Sequence, residues 1–342
     1  MRLLLRLLLV LAALLGLRLF WVVETRGPLR PPGAAAELLE VPPGASAASI
    51  AKRLQELGLV RHPLVFRILV LLRGQGGALK AGTYELEGPL SLEQIADLLA
   101  RGDVVRNEVT FPEGKVLEEM ADIVEAKGIP AAEFLAAARD PALVRDLDPL
   151  APDLEGYLFP DTYDLPSGAN RGAILVQRMV QRFRDVIEPL RPDLALQKLS
   201  LREVVTLASV VEKETGQPSE RPRIAAVFTN RLQRKMPLQT DPTVIYALRK
   251  AGRWDGNIRR QDLEIDSPYN TYRRSGLPPG PIASPGREAI LATLHPADTK
   301  DLYFVSRNDG SHHFSETLTE HERAVDRYQR SRGGRGRNAP AS

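Results

Sequence analysis

The chain has 342 residues, 43% hydrophobic and 26% charged, and its 46 Lys+Arg against 43 Asp+Glu leave a net charge of +3. That is an ordinary globular composition, long enough for two modest domains with buried cores. No basic stripe with interleaved aromatics is present, which argues against a nucleic-acid partner, and the absence of cysteine excludes disulfides, Cys-zinc sites and thiol chemistry.

The first element is MRLLLRLLLVLAALLGLRLFWVV, residues 1–23, apolar except for Arg2, Arg6 and Arg18. Its apolar stretch has about the length that crosses ~30 Å of hydrocarbon at ~1.5 Å per residue. Arg2, Arg6 and the amino terminus favour a cytoplasmic start, while Arg18 can snorkel and Phe20 and Trp21 suit the far interface. The alternative is a cleaved signal peptide, but Leu-Arg-Leu-Phe-Trp follows the apolar run where a small-x-small cleavage site belongs. The expectation is an uncleaved anchor over 1–25 in the cytoplasmic (inner) membrane, single-pass. The remaining chain then lies on the periplasmic or extracellular side.

GPLRPPGAAA, residues 27–36, reads as a linker. An internal repeat follows: VPPGASAASIAKRLQELGL (41–59) aligns without gaps on FPEGKVLEEMADIVEAKGI (111–129) at an offset of 70. Pro42, Gly44, Ala51 and Gly58 match Pro112, Gly114, Ala121 and Gly128. Each copy reads as a short strand, a Pro-x-Gly turn, an amphipathic helix and a Gly stop. Residues 83–103 form a looser relative, with Ser91 as N-cap, Gln94 three residues on, and a helix ending at Gly102. Such units are similar to LysM-type modules, which bind glycan chains; a generic α+β packing unit fits the pattern equally well.

Beyond a Pro- and Asp-rich break at 139–152, helices are predicted over 171–190, 201–215, 221–234, 242–251, 285–294 and 318–330, and a strand at 302–306 returning as a hairpin. The fold class is therefore α+β: a membrane helix, a small module over 26–108, and a larger, mainly helical domain over 109–332. The second repeat unit occupies 109–140, and the tail, 333–342, reads as disordered.

The chemistry centres on ASVVEKETG, residues 208–216, where two glutamates end an apolar helix. Leu201, Val204, Val205, Leu207, Ala208 and Val211 form an apolar arc that contains Glu212 and has Glu214 at its edge. A carboxyl set against apolar side chains has a raised pKa, as a general acid at neutral pH requires. Periodicity prefers Glu212 as that carboxyl. The two side chains diverge by about 200°, so they do not make a close dyad.

In QTDPTVIYAL (239–248), Asp241 reads as an N-cap before Pro242, and Gln239 as a neutral hydrogen-bonder facing a ligand. The segment SPYNTYRRSGLPPGPI (267–282) suits the wall of a sugar groove, with Tyr269 and Tyr272 stacking on sugar faces and Asn270 reading hydroxyls; the alternative is a structural Ω-loop. Asp161 is either a second carboxylate for glycoside hydrolysis or a turn residue. None of the five histidines has metal-ligand spacing, and no cofactor fingerprint is present.

LEGYLFPDTY, ASVVEKET, AAVFTNRL, MPLQTDPTVIYAL, YNTYRRSGLPPGPIASPG and HPADTKDLYFVSRNDGSHHFSETLTEH occur here in series. In that order they resemble the endolytic murein transglycosylases of the YceG-like (MltG) family, from the membrane segment to about residue 328. The resemblance implies a single-pass inner-membrane lytic transglycosylase that cuts nascent peptidoglycan strands between MurNAc and GlcNAc, leaves 1,6-anhydroMurNAc ends, and so sets glycan length. It implies no cofactor and no metal, and glycan strands and peptidoglycan synthases as partners. It also implies that Glu214, the second glutamate of Glu-Lys-Glu-Thr, is catalytic, with Glu212 in a supporting role. His312 matches the histidine of the family's last hairpin motif. Two rivals remain at this level: a non-catalytic wall-binding scaffold, and a hydrolase pairing Glu214 with Asp161 or Glu212.

Overall fold

The computed structural model describes residues 2–31, 35–104, 108–165 and 169–330. The expected disordered tail lies outside the described residues, as does part of the 27–36 linker. The chain divides into two compact units, Met1–Asn107 and Glu108–Ser342.

The first unit begins with α1 (Arg2–Arg26). Its stretch Arg6–Arg26 is, among the described residues, the one helix long and apolar enough to cross a membrane, and it is exposed along most of its length, with Thr25 buried near its end. This is consistent with membrane anchoring. Strand β1 (Glu37–Val41), α2 (Ala47–Glu56), α3 (Pro63–Leu72), β2 (Gly82–Leu86) and α4 (Leu92–Arg101) follow. β1 and β2 pair antiparallel, Leu39 opposite Tyr84, and alternation sends Leu39, Val41, Tyr84 and Leu86 inward. Against that face pack Ile50 and Leu54 of α2, Phe66 and Leu69 of α3, and Ile95 and Leu99 of α4. Ser46 caps α2, and Ser91 with Gln94 forms the expected capping box on α4. Helix α3 is left unassigned by the sequence pattern because its run is apolar on every side but for Arg67.

The repeat is a repeat of geometry. α2 and α5 (Leu117–Glu125) start 70 residues apart, at Ala47 and Leu117. The matched glycines share a left-handed backbone, φ 75° and 70° at Gly44 and Gly58, 74° and 75° at Gly114 and Gly128. Only glycine enters that region without a steric penalty, which explains their identity in both copies.

In the second unit, β3 (Glu108–Thr110) pairs antiparallel with β4 (Thr162–Asp164), and α5 and α6 (Ala131–Ala138) lie between them in sequence. Then come α7 (Arg171–Ile187), α8 (Arg191–Leu196), α9 (Leu201–Glu214), α10 (Arg221–Gln233), α11 (Asp241–Lys250) and α12 (Arg287–Leu294). The hairpin of β5 (Tyr303–Ser306) and β6 (His312–Ser315) and helix α13 (Leu318–Val325) close the unit. Helix α9 is its axis. Val204, Val205 and Ala208 enter a core shared with Met120, Phe134 and Met179, whereas Leu207, Val210 and Val211 enter a second core with Ile224, Phe228 and Tyr246. Every residue from 204 to 211 is buried, so α9 has no solvent face in its middle. The single apolar arc expected from the sequence is therefore only part of what α9 buries.

Candidate active site

Helix α9 ends at Glu214, and the following Thr215 is extended at φ −143°, ψ 136°. This stop delivers Glu214 into a cleft of about 420 Å³. Its walls come from α10 (Phe228, Arg231), the approach to α11 (Gln239, Thr240, Asp241), the loop carrying Tyr272, β5 (Tyr303, Phe304) and α13 (His321). Glu214 is half-buried. Burial pushes its carboxyl up, Asp241 adds to the rise, and the Thr240 hydroxyl, His312 and Arg231 pull it back, leaving it at about 7. Near neutral pH such a group holds a proton half the time and can both give and take one.

The Thr240 hydroxyl donates to Glu214 Oε1. Thr240 is itself pinned, its backbone N–H donating to Thr271 Oγ1 at 3.2 Å and its carbonyl accepting from Thr243 Oγ1 at 2.8 Å. Helix α11 starts one residue earlier than the sequence suggests: Thr240 is the N-cap and Asp241 the first helical residue. Thr240 spends its hydroxyl on Glu214 and makes no side-chain cap bond. Asp241, the other carboxylate of the cleft, accepts the Tyr272 hydroxyl at 2.6 Å, and burial followed by that carboxylate raises the phenol's pKa.

Gln239 lines the cleft with φ 50°, a conformation that costs a non-glycine residue of order 1 kcal/mol or more and tends to mark functional positions. Arg231 is buried, donating Nε to Leu302 O at 2.6 Å and Nη1 to Leu238 O at 2.8 Å and Pro237 O at 3.2 Å. Its guanidinium lies 5.1 Å from the Tyr303 ring centroid, and no salt bridge to it is found among the described residues. His321 also stacks on Tyr303, with ring centroids 5.2 Å apart. Burial lowers its pKa, and Arg231 adds to that effect.

The sequence-selected residues separate into two groups. Glu214, Gln239 and Tyr272 meet in the cleft. Glu212 does not: its Oε1 pairs with Arg221 Nη2 at 2.8 Å, and its Oε2 accepts Gly286 N at 3.0 Å, at the N-cap of α12. Its side chain is 5% exposed, and burial raises its pKa. Asn270 is fully buried and staples its own loop, donating to Leu263 O and Ile265 O and accepting Tyr272 N. Tyr269 packs on Tyr246 at 4.8 Å. Asp161 pairs with Arg182 at 2.8 Å. His312 is held by Glu220, Nδ1 to Oε2 at 2.7 Å. Thr240, Arg231, Tyr303 and His321 are cleft residues that sequence reasoning misses, although each sits inside or beside a motif singled out above.

A larger cleft, about 730 Å³, lies at the other end of α11 and is lined by Glu155, Tyr246, Lys250 and Trp254. Burial pushes the Glu155 carboxyl up to about 8. Yet Glu155 is 4% exposed, its Oε2 receives Leu117 N at the start of α5, and its Oε1 is buried without a partner. An acid so enclosed cannot reach a polymer, which leaves the smaller cleft as the candidate site.

A model of the YceG-like family matches residues 39–327. The chain belongs to the YceG-like family. Among its relatives in that family, a Bacillus subtilis protein named endolytic murein transglycosylase is 34% identical over 85% of this chain and 84% of its own length. A Streptococcus pneumoniae protein of the same name is 31% identical over 85% of this chain; the alignment spans 58% of that longer protein. A crystal structure of a YceG-like protein from Listeria monocytogenes superposes with a TM-score of 0.59 at 33% identity, covering 85% of this chain and 99% of that one.

Proposed function

We propose that this YceG-like protein is a membrane-anchored endolytic lytic transglycosylase that cuts MurNAc–GlcNAc bonds within nascent peptidoglycan strands. The observation that carries the reading is a titratable carboxyl at about 7, Glu214, in an open cleft where, among the described residues, the only other lining carboxylate is engaged by Tyr272. The names of the Bacillus and Streptococcus relatives agree with it.

Hydrolytic glycosidases ordinarily use two carboxyl groups, one acid and one nucleophile or base. One suffices when the substrate carries its own nucleophile. Protonated Glu214 gives its proton to the glycosidic oxygen as the C1–O bond of MurNAc breaks. The carboxylate so formed takes the proton of the C6 hydroxyl, whose oxygen closes on C1. The products are a free GlcNAc 4-hydroxyl and a 1,6-anhydroMurNAc end; no water is consumed and Glu214 ends protonated. Tethering supplies the nucleophile at high effective concentration. Thr240 steers the carboxyl and stabilises its ionised form, while Gln239 and Tyr272 contact the sugars. Asn270 and Tyr269 support that wall from behind, and Glu212 holds the end of α9 in place.

Cleavage at internal bonds beside the synthases makes the enzyme a terminase that sets strand length. The repeat-bearing module over 26–108, like the second repeat at 109–140, holds glycan in the LysM manner, and the anchor orients both outside the cytoplasm. Cleavage of purified peptidoglycan in H₂¹⁸O tests the chemistry: the reading predicts anhydro ends without label, whereas ¹⁸O-bearing reducing MurNAc ends identify a hydrolase and sink it.

A further inference from the structure

Among the described residues of the first unit, helix α3 is the one place outside α1 with a cluster of exposed large apolar side chains. Val65, Phe66, Leu69 and Val70 face the core, while Leu64, Ile68, Leu71 and Leu72 are 59%, 37%, 76% and 72% exposed. A helix apolar on all sides is normally buried or in lipid, and contiguous exposed apolar patches mark a contact.

The position of α3 identifies the partner. Its first turn abuts the membrane helix, with His62 packed on Phe20 at 5.8 Å, and Trp21 of α1 packs against the unit's own core. At the other end, Arg73 pairs with Glu93 at 2.9 Å, and Glu93 also pairs with Arg26, the last residue of α1, at 3.0 Å. Helix α3 therefore runs beside the final turns of α1, between Phe20 and Arg26, a rise of about 9 Å at 1.5 Å per residue. That is where a span running from Arg6 to Arg26 leaves the hydrocarbon. The Arg26–Glu93–Arg73 cluster, which Asp97 joins at 2.8 Å, provides charge suited to the headgroup level, and Arg67 has the reach to snorkel there.

We infer that α3 is a second membrane contact: its Leu64–Ile68–Leu71–Leu72 face lies in the outer boundary of the bilayer beside α1, fixing the first unit on the lipid surface as an interfacial amphipathic helix does. The inference rests on α1 spanning the bilayer. The occupant is lipid because the face is continuous with α1 and edged by charges placed for headgroups.

The chain has no cysteine, so single cysteines label uniquely. Full-length protein carrying Leu64→Cys, Ile68→Cys or Leu71→Cys, labelled with an environment-sensitive fluorophore, is reconstituted into phospholipid vesicles. Leu14→Cys in α1 and Lys52→Cys on the exposed face of α2 are controls. The expected result is a blue-shifted emission at all three α3 positions, quenched at least twofold by lipids brominated near the headgroup, with Leu14 in a lipid environment and Lys52 unaffected. If Leu14 emission is blue-shifted while the α3 labels behave like Lys52, the inference is wrong and the anchor stands. If Leu14 also emits like Lys52, both fail. Protection of α3 in native membranes but not in pure lipid vesicles would assign the face to a protein and overturn the lipid contact.

Discussion

Replacing Thr240 with valine removes one hydroxyl from the site and nothing from the backbone. That hydroxyl donates to Glu214 Oε1 and opposes the rise in the carboxyl's pKa caused by burial. A hydrogen bond to a charged group is worth ~1.5–3 kcal/mol, and one pKa unit is about 1.36 kcal/mol, so its loss moves the pKa up by about one unit or more. In the proposed mechanism Glu214 acts in its protonated form, so kcat/KM is expected to fall as pH rises through the folded pKa of about 7. In the wild type about one enzyme in ten remains protonated one unit above that pKa. In Thr240→Val the descending limb shifts upward by about one unit, and the variant retains a larger share of its maximal rate at pH 8. The assay is release of soluble muropeptides from purified peptidoglycan between pH 5 and 9, with far-ultraviolet circular dichroism to confirm folding. A descending limb that stays in place, or moves down, refutes the assignment of Glu214 as the acid restrained by Thr240.

Glu212→Ala removes the more buried of Arg221's two carboxylate partners, leaving Glu113 at 3.2 Å, and takes the acceptor from Gly286 N at the start of α12; breaking a buried pair from one side costs up to ~3–5 kcal/mol. Its melting temperature should drop well below wild type while anhydro ends still form in the cold, and an unchanged melt contradicts the structural role. Asp161→Asn loses only a half-exposed pair with Arg182, worth up to about 1 kcal/mol, and should cleave at the wild-type rate; inactivity in a folded variant restores the two-carboxylate hydrolase. Glu155 has a folded pKa of about 8 against an ordinary value of 4.5, so the folded state favours its protonated form. Its contribution is fully present below the unfolded value and is lost as pH rises through about 8. Glu155→Gln should therefore gain stability relative to wild type at pH 9 compared with pH 5, by a few (~2–4) kcal/mol in denaturant titrations; an equal difference at both pH values rules this out.

Much of the molecule is legible in its sequence because local rules carry it. The repeat, its left-handed glycines, the Ser91–Gln94 capping box and the β5–β6 hairpin all depend on residues near one another in the chain. The choice between Glu212 and Glu214 does not. A helical wheel assumes one buried face and one wet one, and α9 is buried throughout its middle, between two cores assembled from α5–α7 and from α10–α11. Being on the apolar arc then says only that Glu212 is buried. What it is buried against, Arg221 and the start of α12, is set by tertiary contacts. The site suffers likewise: Arg231 and His321 stand 17 and 107 residues beyond Glu214, and the left-handed backbone of Gln239 leaves no compositional trace. Asn270 reads from its amide as a sugar contact, yet its donors are taken by the carbonyls of its own loop. Helix α3 escapes notice because an apolar run without alternation has no period to detect.

The most direct test of the central claim is mass spectrometry of products from purified peptidoglycan treated with wild type, Glu214→Gln and Glu212→Gln, each verified as folded. Anhydro ends from wild type and Glu212→Gln and none from Glu214→Gln is the predicted outcome. Anhydro ends from Glu214→Gln, with Glu212→Gln folded but inert, would contradict it and transfer the chemistry to the glutamate that pairs with Arg221.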